Sequence, residues 1–277
     1  MLQAIIQLET ETHGITQVLG QTLFLIVVLA APFVLFGVVM HAIERKIQGR
    51  LASRFGWRSV LWTGWLGTPI HELSHAVMCV VFQHKIKDIA LFEPDLKTGR
   101  LGYVEHSFHA GNWFQEAGNF FIGMAPLIGG SVALAAVLWM FFPEPAAQMF
   151  QAGQSPDGSL ISHLVDATGG LLQQLAAPAN WVSWKFWLFI YLVLCIGGHM
   201  APSRSDYDGA SRGVLLVVGL ALLILFLFSL AGVRTDQMMG GMIRLLTPVF
   251  GLQILSILVC CFATAIVYGI TAIFPGR

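Results

Sequence analysis

The sequence predicts an all-α polytopic membrane protein with about six transmembrane helices and a short membrane-associated β-hairpin, all in one domain. Apolar residues make up 56% of the chain and charged residues only 11%, whereas soluble domains carry about 25% charged residues. Fifteen acidic residues balance fifteen basic ones, so net charge indicates no nucleic-acid partner. We therefore expect the lipid bilayer as the surroundings, in a multi-pass protein of the bacterial inner membrane.

Six apolar segments are the predicted spans, at residues 21–42, 60–82, 117–142, 184–198, 213–232 and 248–274. A basic stretch at 45–58 follows the first span and is predicted to be a loop that anchors the chain to lipid headgroups. Basic residues are nearly equal in number on the two sides, so the orientation in the membrane stays open. Residues 143–182 are predicted to form a large loop with a helical stretch near 160–175, the one candidate for a soluble lid.

The polar segment at residues 84–109 predicts a hairpin. Two short β-prone runs flank a turn that contains Pro94, Asp95 and Gly99. The strand Leu101 to Glu105 is the predicted free edge, beside the second span.

The second span contains His71, Glu72 and His75 in a His-Glu-x-x-His motif. On a helix the two histidines lie one turn apart on one face, so both imidazoles can bind one Zn²⁺ while Glu72 takes a proton from water. Burying these groups unpaired among apolar residues would cost several kcal/mol each. A zinc site is therefore favoured over a purely structural polar cluster. Thr68 and Pro69 resemble an N-cap and first helical position, which predicts a break near Gly64 or Gly67.

Catalytic zinc takes three protein ligands and leaves a position for water, so a third ligand is needed. Asp206 and Asp208 lie on a polar segment directly before the fifth span, where either could instead cap a helix. Asp206 is the predicted ligand, because Gly209 one turn later leaves room beside it. Asp208 stays the alternative. Three histidines are further candidates: His106, His109 and His199.

Asn119 lies near the start of the third span. It is predicted to be catalytic, by orienting the substrate backbone or the oxyanion, and an interhelical hydrogen bond is the alternative role. Small residues around Gly123 to Gly130 in the same span predict close helix packing.

The chain combines four features: a His-Glu-x-x-His motif in an apolar span, a hairpin, a small-residue segment and a late Pro-then-Asp segment. In these features the chain resembles the site-2 protease family of intramembrane zinc metalloproteases. The resemblance covers about the middle half of the chain. The late motif of that family reads Asn-x-x-Pro followed by Leu-Asp-Gly, and its Asp is the third zinc ligand. This chain has His199 in place of Asn, and its Asp-Gly pair points to Asp208, although both acids are one residue out of step with Pro202.

The expected function is an intramembrane zinc endopeptidase that cleaves a transmembrane or juxtamembrane segment of a membrane-protein or peptide substrate. Proteases that trim prenylated tails share the motif but use a later Glu as third ligand, and no Glu follows Glu144 here. The rival from another class is a non-catalytic zinc-binding membrane protein, either a degenerate protease or an assembly factor. A fourth protein ligand in the position of water would favour that rival.

Overall fold

The computed structural model describes residues 20, 33–152, 160–230 and 235–273, which are mostly helical. The predicted combination of helices with one short antiparallel hairpin is confirmed. In chain order the elements are α1 at residues 33–55, a 3₁₀ turn at Trp57–Val60, α2 (Leu61–Val81), β1 (Lys85–Ala90), β2 (Tyr103–Ser107), α3 (Trp113–Phe141), α4 (Pro143–Ala152), α5 (Leu160–Leu175), α6 (Pro178–Trp181), α7 (Trp184–Gly197), α8 (Arg204–Leu230) and α9 (Thr235–Ile273).

Within the described residues, three helices are long and apolar enough to cross a membrane, at Trp113–Phe141, Arg204–Ile224 and Gly240–Gly269. The helix α7 is apolar but shorter. These three segments agree with the third, fifth and sixth predicted spans in position, although their ends differ. Residues 21–32 of the first predicted span lie outside the described residues.

The helix α2 has the opposite polarity from a helix on the surface of a soluble protein. Its Glu72 and His75 are buried, whereas Leu73, Val77 and Val80 are exposed. Aliphatic side chains on the outside and ionisable ones on the inside suit a helix whose outer face meets lipid. The exposed face of α2 is thus consistent with a membrane environment.

The helix α3 lies at the centre of the fold and packs against α2 and α8 through glycines. A Cβ atom at Gly123 would overlap the backbone oxygen of Asp206, and one at Gly213 of α8 would lie 2.7 Å from the backbone of α3. On another side of α3, Gly129 faces Ser74 of α2. The predicted close packing of this small-residue segment is confirmed, because only glycine lets the backbones approach this far.

The helix α2 is continuous through its whole length, so the predicted break at Gly64 or Gly67 is wrong. Pro69 lies inside the helix, where it removes only one backbone hydrogen bond. Thr68 is buried and is not a cap. Gly67 has a packing role instead, since a Cβ there would overlap the carbonyl oxygen of Cys195 on α7.

Two predicted loops are helical. Residues 45–55 continue α1, and the described residues of 143–182, which exclude 153–159, contain α4, α5 and α6. The helix α5, which coincides with the predicted helical stretch, places Ala167, Leu171 and Leu175 at four-residue spacing in the hydrophobic core and packs against α9. The described residues of this part are thus mainly helical and pack on the core, which confirms the predicted helical stretch and corrects the prediction of a loop around it.

The hairpin pairs Lys85 with Ser107 at one end and Ala90 with Tyr103 at the other, with an irregularity in β1 before Asp88. The side chain of Gln115 on α3 fastens the hairpin to the helical core at its Lys85–Ser107 end, where the chain enters and leaves the hairpin. Its Nε2 donates to the carbonyl oxygen of Gln83 (2.9 Å), and its Oε1 accepts from the backbone N–H of His109 (2.7 Å).

We predict that Gly123→Ala destabilises the protein by about 1–3 kcal/mol, because the added methyl group forces α8 away from α3. The same shift would move Asp206, so binding of metal should weaken as well. Thermal unfolding and metal content after dialysis measure the two effects. Gly219→Ala on α8 is the matched control, because a Cβ atom there meets nothing within 4 Å. Equal stability of both variants would contradict the close crossing.

Candidate metal centre

The structure brings His71 and His75 of α2 together with Asp206 in the first turn of α8. The two histidine Nε2 atoms are 3.1 Å apart. The carboxylate oxygens of Asp206 lie 3.6 Å from Nε2 of His71 and 3.4 Å from Nε2 of His75. All three ligand atoms lie within 4.8 Å of one another, so these residues form a group that could hold a metal ion.

Backbone carbonyl groups determine which nitrogen of each imidazole carries its proton. The Nδ1 atom of His71 lies 2.8 Å from the carbonyl oxygen of His199, and Nδ1 of His75 lies 2.8 Å from that of Ile122. Because a carbonyl oxygen only accepts, each Nδ1 must carry the proton and donate it. Both neutral rings then point unprotonated Nε2 atoms at the same place. Two facing lone pairs at this distance repel unless a cation or a proton lies between them, so the tautomers favour a cation.

A capping box holds the carboxylate of Asp206 in position. The backbone N–H of Ser203 donates to Oδ2 of Asp206 (2.6 Å), and the N–H of Asp206 lies 3.3 Å from the hydroxyl oxygen of Ser203. This reciprocal pair satisfies two N–H groups at the start of α8. Asp208 is exposed and lies outside the metal-ligand group. The geometry therefore places Asp206, and not Asp208, beside the two histidines.

The three ligand atoms belong to two imidazoles and one carboxylate. This set of ligands is found in catalytic zinc sites, which keep one position for water. Imidazole also binds other transition metals, so the geometry identifies a metal site rather than the metal.

A cavity of about 550 Å³, here called the metal cavity, surrounds this group. Glu72, which follows His71 in sequence, lines it, and so does Asn119 of α3, one helical turn before Gly123. The loop that leads into β2 closes one side, since a Cβ atom at Gly102 would lie 2.9 Å from Cγ of Glu72. The two predicted catalytic side chains are thus in the same cavity as the metal group.

The three alternative histidine ligands are not in the metal group of the described residues. His106 lines the metal cavity, and its Nδ1 lies 3.0 Å from Nδ1 of His84. Burial, followed by the nearby His84, holds the pKa of His106 below its ordinary value. His109 contributes its backbone N–H to Gln115. His199 lies against α2, where its own Nδ1 is 3.0 Å from the carbonyl oxygen of Cys195.

The helix α1 contributes a polar face to the metal cavity that the sequence prediction missed. Four of its residues line the cavity, namely His41, Glu44, Arg45 and Gln48. Gln48 donates from Nε2 to Oε1 of Glu44 (2.7 Å). Their spacing of three and four residues places them on one helical face. The sequence prediction did not use this spacing, because it placed a loop from residue 45 onward.

Comparison of the chain with protein-family models, curated proteins and solved structures gave no match. The resemblance to the site-2 proteases therefore stays a prediction, and function is inferred from the geometry and chemistry of the metal cavity.

We predict that Asp206→Asn lowers the affinity for zinc by more than the roughly 10- to 100-fold that loss of a supporting residue costs. Asparagine keeps an oxygen that can accept from the N–H of Ser203, so the start of α8 should survive. Asp208→Asn is the matched control and should bind zinc like the wild type. Metal content and circular dichroism test this together. Loss of metal in the Asp208 variant alone would reverse the assignment.

Proposed function

We propose that this chain is a multi-pass intramembrane zinc endopeptidase of the site-2 protease type, with about six transmembrane helices. Its substrate is a transmembrane or juxtamembrane segment of another protein. The observation that carries the proposal is the convergence of two unprotonated imidazole nitrogens and one carboxylate beside Glu72, inside a cavity. The apolar outer face of α2 supports a reaction at the depth of the membrane.

His71, His75 and Asp206 would hold the zinc ion. When bound, zinc supplies Lewis-acid chemistry, which polarises a peptide carbonyl group and makes water a better nucleophile at neutral pH. The backbone acceptors at His199 and Ile122 keep both rings oriented for this role.

Glu72 acts as the general base in this proposal. It is adjacent to His71 in sequence, lines the metal cavity and does not belong to the ligand group. Its carboxylate accepts a proton from the attacking water and later gives that proton to the leaving nitrogen, so the side chain ends as it began.

Asn119 serves as the donor to the oxyanion. Its Nδ2 lies 3.3 Å from the carbonyl oxygen of Glu116, a long contact that leaves the second N–H of the amide free to donate. A fixed amide donor stabilises the charge that develops on the carbonyl oxygen.

The strand β2 supplies the place where an unwound substrate binds. Among the residues that the structure describes, β1 is its one strand partner. Consecutive residues of β2, from Tyr103 to His106, all line the metal cavity. Because successive side chains of a strand point to opposite faces, a run of adjacent lining residues indicates that the backbone edge borders the cavity. An extended peptide can add to that edge through main-chain hydrogen bonds, which replace those lost when a helix in lipid unwinds. Leu101 and Gly102, which belong to the predicted edge, precede the strand.

A non-catalytic zinc protein remains the second candidate. It would gain support from a fourth protein ligand, and the group formed by the described residues contains three. The cavity around them leaves space for water and a peptide.

We predict that Glu72→Gln retains zinc and the fold but cleaves a transmembrane peptide about 10²- to 10⁴-fold more slowly, because the amide cannot accept the proton of water. Metal content and single-turnover cleavage in detergent micelles are the measurements. His75→Ala is the contrasting variant and should lose zinc and activity together. Full activity of the Glu72 variant would rule out this mechanism.

We further predict that one of the variants Tyr103→Pro and Val104→Pro impairs cleavage of a full-length substrate without loss of zinc. The N–H groups of adjacent residues point to opposite edges of a strand, so one proline removes a donor from the free edge and the other removes one from the pairing with β1. Cleavage rate and metal content are measured for both. If both variants cleave like the wild type, this edge does not bind the substrate.

A further inference from the structure

A second, more apolar pocket of about 280 Å³ lies between α1, α2, α7 and α9. Its interior is lined mainly by aliphatic and aromatic side chains, among them Ile47 of α1, Leu194 of α7, and Ala263 and Val267 of α9. The site described above makes no use of this pocket. It is here called the apolar pocket.

The apolar pocket and the metal cavity share part of their walls. Glu44, Gln48 and His199 line both. These three residues form a polar border between the two spaces, so a group bound in the metal cavity lies directly beside the apolar pocket.

His199 at this border has a hydrogen-bonding capacity that the protein leaves unused. Its Nδ1–H donates to the carbonyl oxygen of Cys195, which leaves Nε2 as an acceptor. That Nε2 atom is buried, and the described residues provide no partner for it. A buried acceptor without a partner is costly, so a donor that reached this atom would be stabilised there.

We propose that the apolar pocket is a specificity subsite that takes a large aliphatic or aromatic side chain of the residue next to the scissile bond. This inference rests on the proposed endopeptidase function. The bound side chain enters between α1 and α9, while the backbone of the same residue stays at the border with the metal cavity.

The size and polarity of the apolar pocket define which side chains fit. Sites for drug-sized ligands start at about 300 Å³, so a pocket of about 280 Å³ suits a single side chain. An acidic side chain would lose hydration inside the pocket and approach Glu44 at its border. Since one methylene group in an apolar pocket is worth about 10-fold or more in kcat/KM, Leu or Phe should be preferred over Ala by at least that factor.

The test uses transmembrane peptides that differ only in one residue beside the cleaved bond, with Leu, Phe, Ala or Asp there. Cleavage is measured with the zinc-loaded wild type. Binding of the same peptides is measured with the Glu72→Gln variant, which separates recognition from chemistry. The pocket is then filled by Ala263→Phe, and Ala265→Phe is the matched control, because Ala265 is exposed and does not line the pocket.

We expect the wild type and the Ala265 variant to prefer Leu and Phe over Ala by about 10-fold or more. The Ala263 variant should lose that preference and retain zinc, because the added ring occupies the space that a Leu or Phe side chain would enter. If the Ala263 and Ala265 variants cleave the four peptides with the same order of preference, the subsite is overturned. The proposed peptidase function is not affected by that result. Selective binding without any cleavage by the wild type would refute the peptidase and, with it, a subsite beside a scissile bond, and would leave a pocket that binds apolar side chains. A further outcome is lipid that co-purifies with the wild type and the Ala265 variant and is absent from the Ala263 variant. If the peptide preference is then unchanged, the pocket binds a lipid chain and the proposal is overturned.

Discussion

The arrangement of the whole site depends on two hydrogen bonds from imidazole Nδ1 atoms to backbone carbonyl oxygens. Those oxygens belong to His199, which follows α7, and to Ile122 on α3, while the imidazoles belong to α2. The bonds fix both tautomers and direct two electron pairs to one point, where the carboxylate of Asp206 also ends. Four separate parts of the chain must therefore pack correctly before the ligand group exists. The glycine contacts between α3 and α8 serve this requirement directly.

Local patterns in the sequence predicted the parts of the site that depend on local geometry. The four-residue spacing of His71 and His75 places both rings on one face of any helix. Asp206 could be selected because few acidic residues occur near the ends of apolar segments, and an acid there is costly without a partner. The hairpin was predictable from its turn, where Asp95 accepts from the backbone of Lys97 and from the hydroxyl of Thr98.

Features that depend on packing between distant helices could not be predicted in this way. The acceptors for the two imidazoles are backbone carbonyl groups, which every residue has, so no sequence pattern marks them. Glu44 and its neighbours resembled a charged loop. Past residue 45 the helix α1 has polar residues on the face that lines the metal cavity, so no apolar pattern marks it as a helix. The cap signature at Thr68 and Pro69 was overridden because Gly67 lets α2 lie against α7 without interruption. In each case tertiary contacts decide between two locally reasonable structures.

The capping box at Ser203 has a consequence for how the candidate metal site would be filled. The carboxylate of Asp206 is held by a backbone N–H of its own helix, and the imidazoles are held by carbonyl groups. The ligands are thus arranged by folding itself, unlike those of small zinc domains that are unfolded without metal. Membrane insertion and helix assembly can therefore be completed first, with the ion entering a finished site. In such a protein a shortage of metal leaves folded molecules with an empty site, and metal can bind them again when it returns.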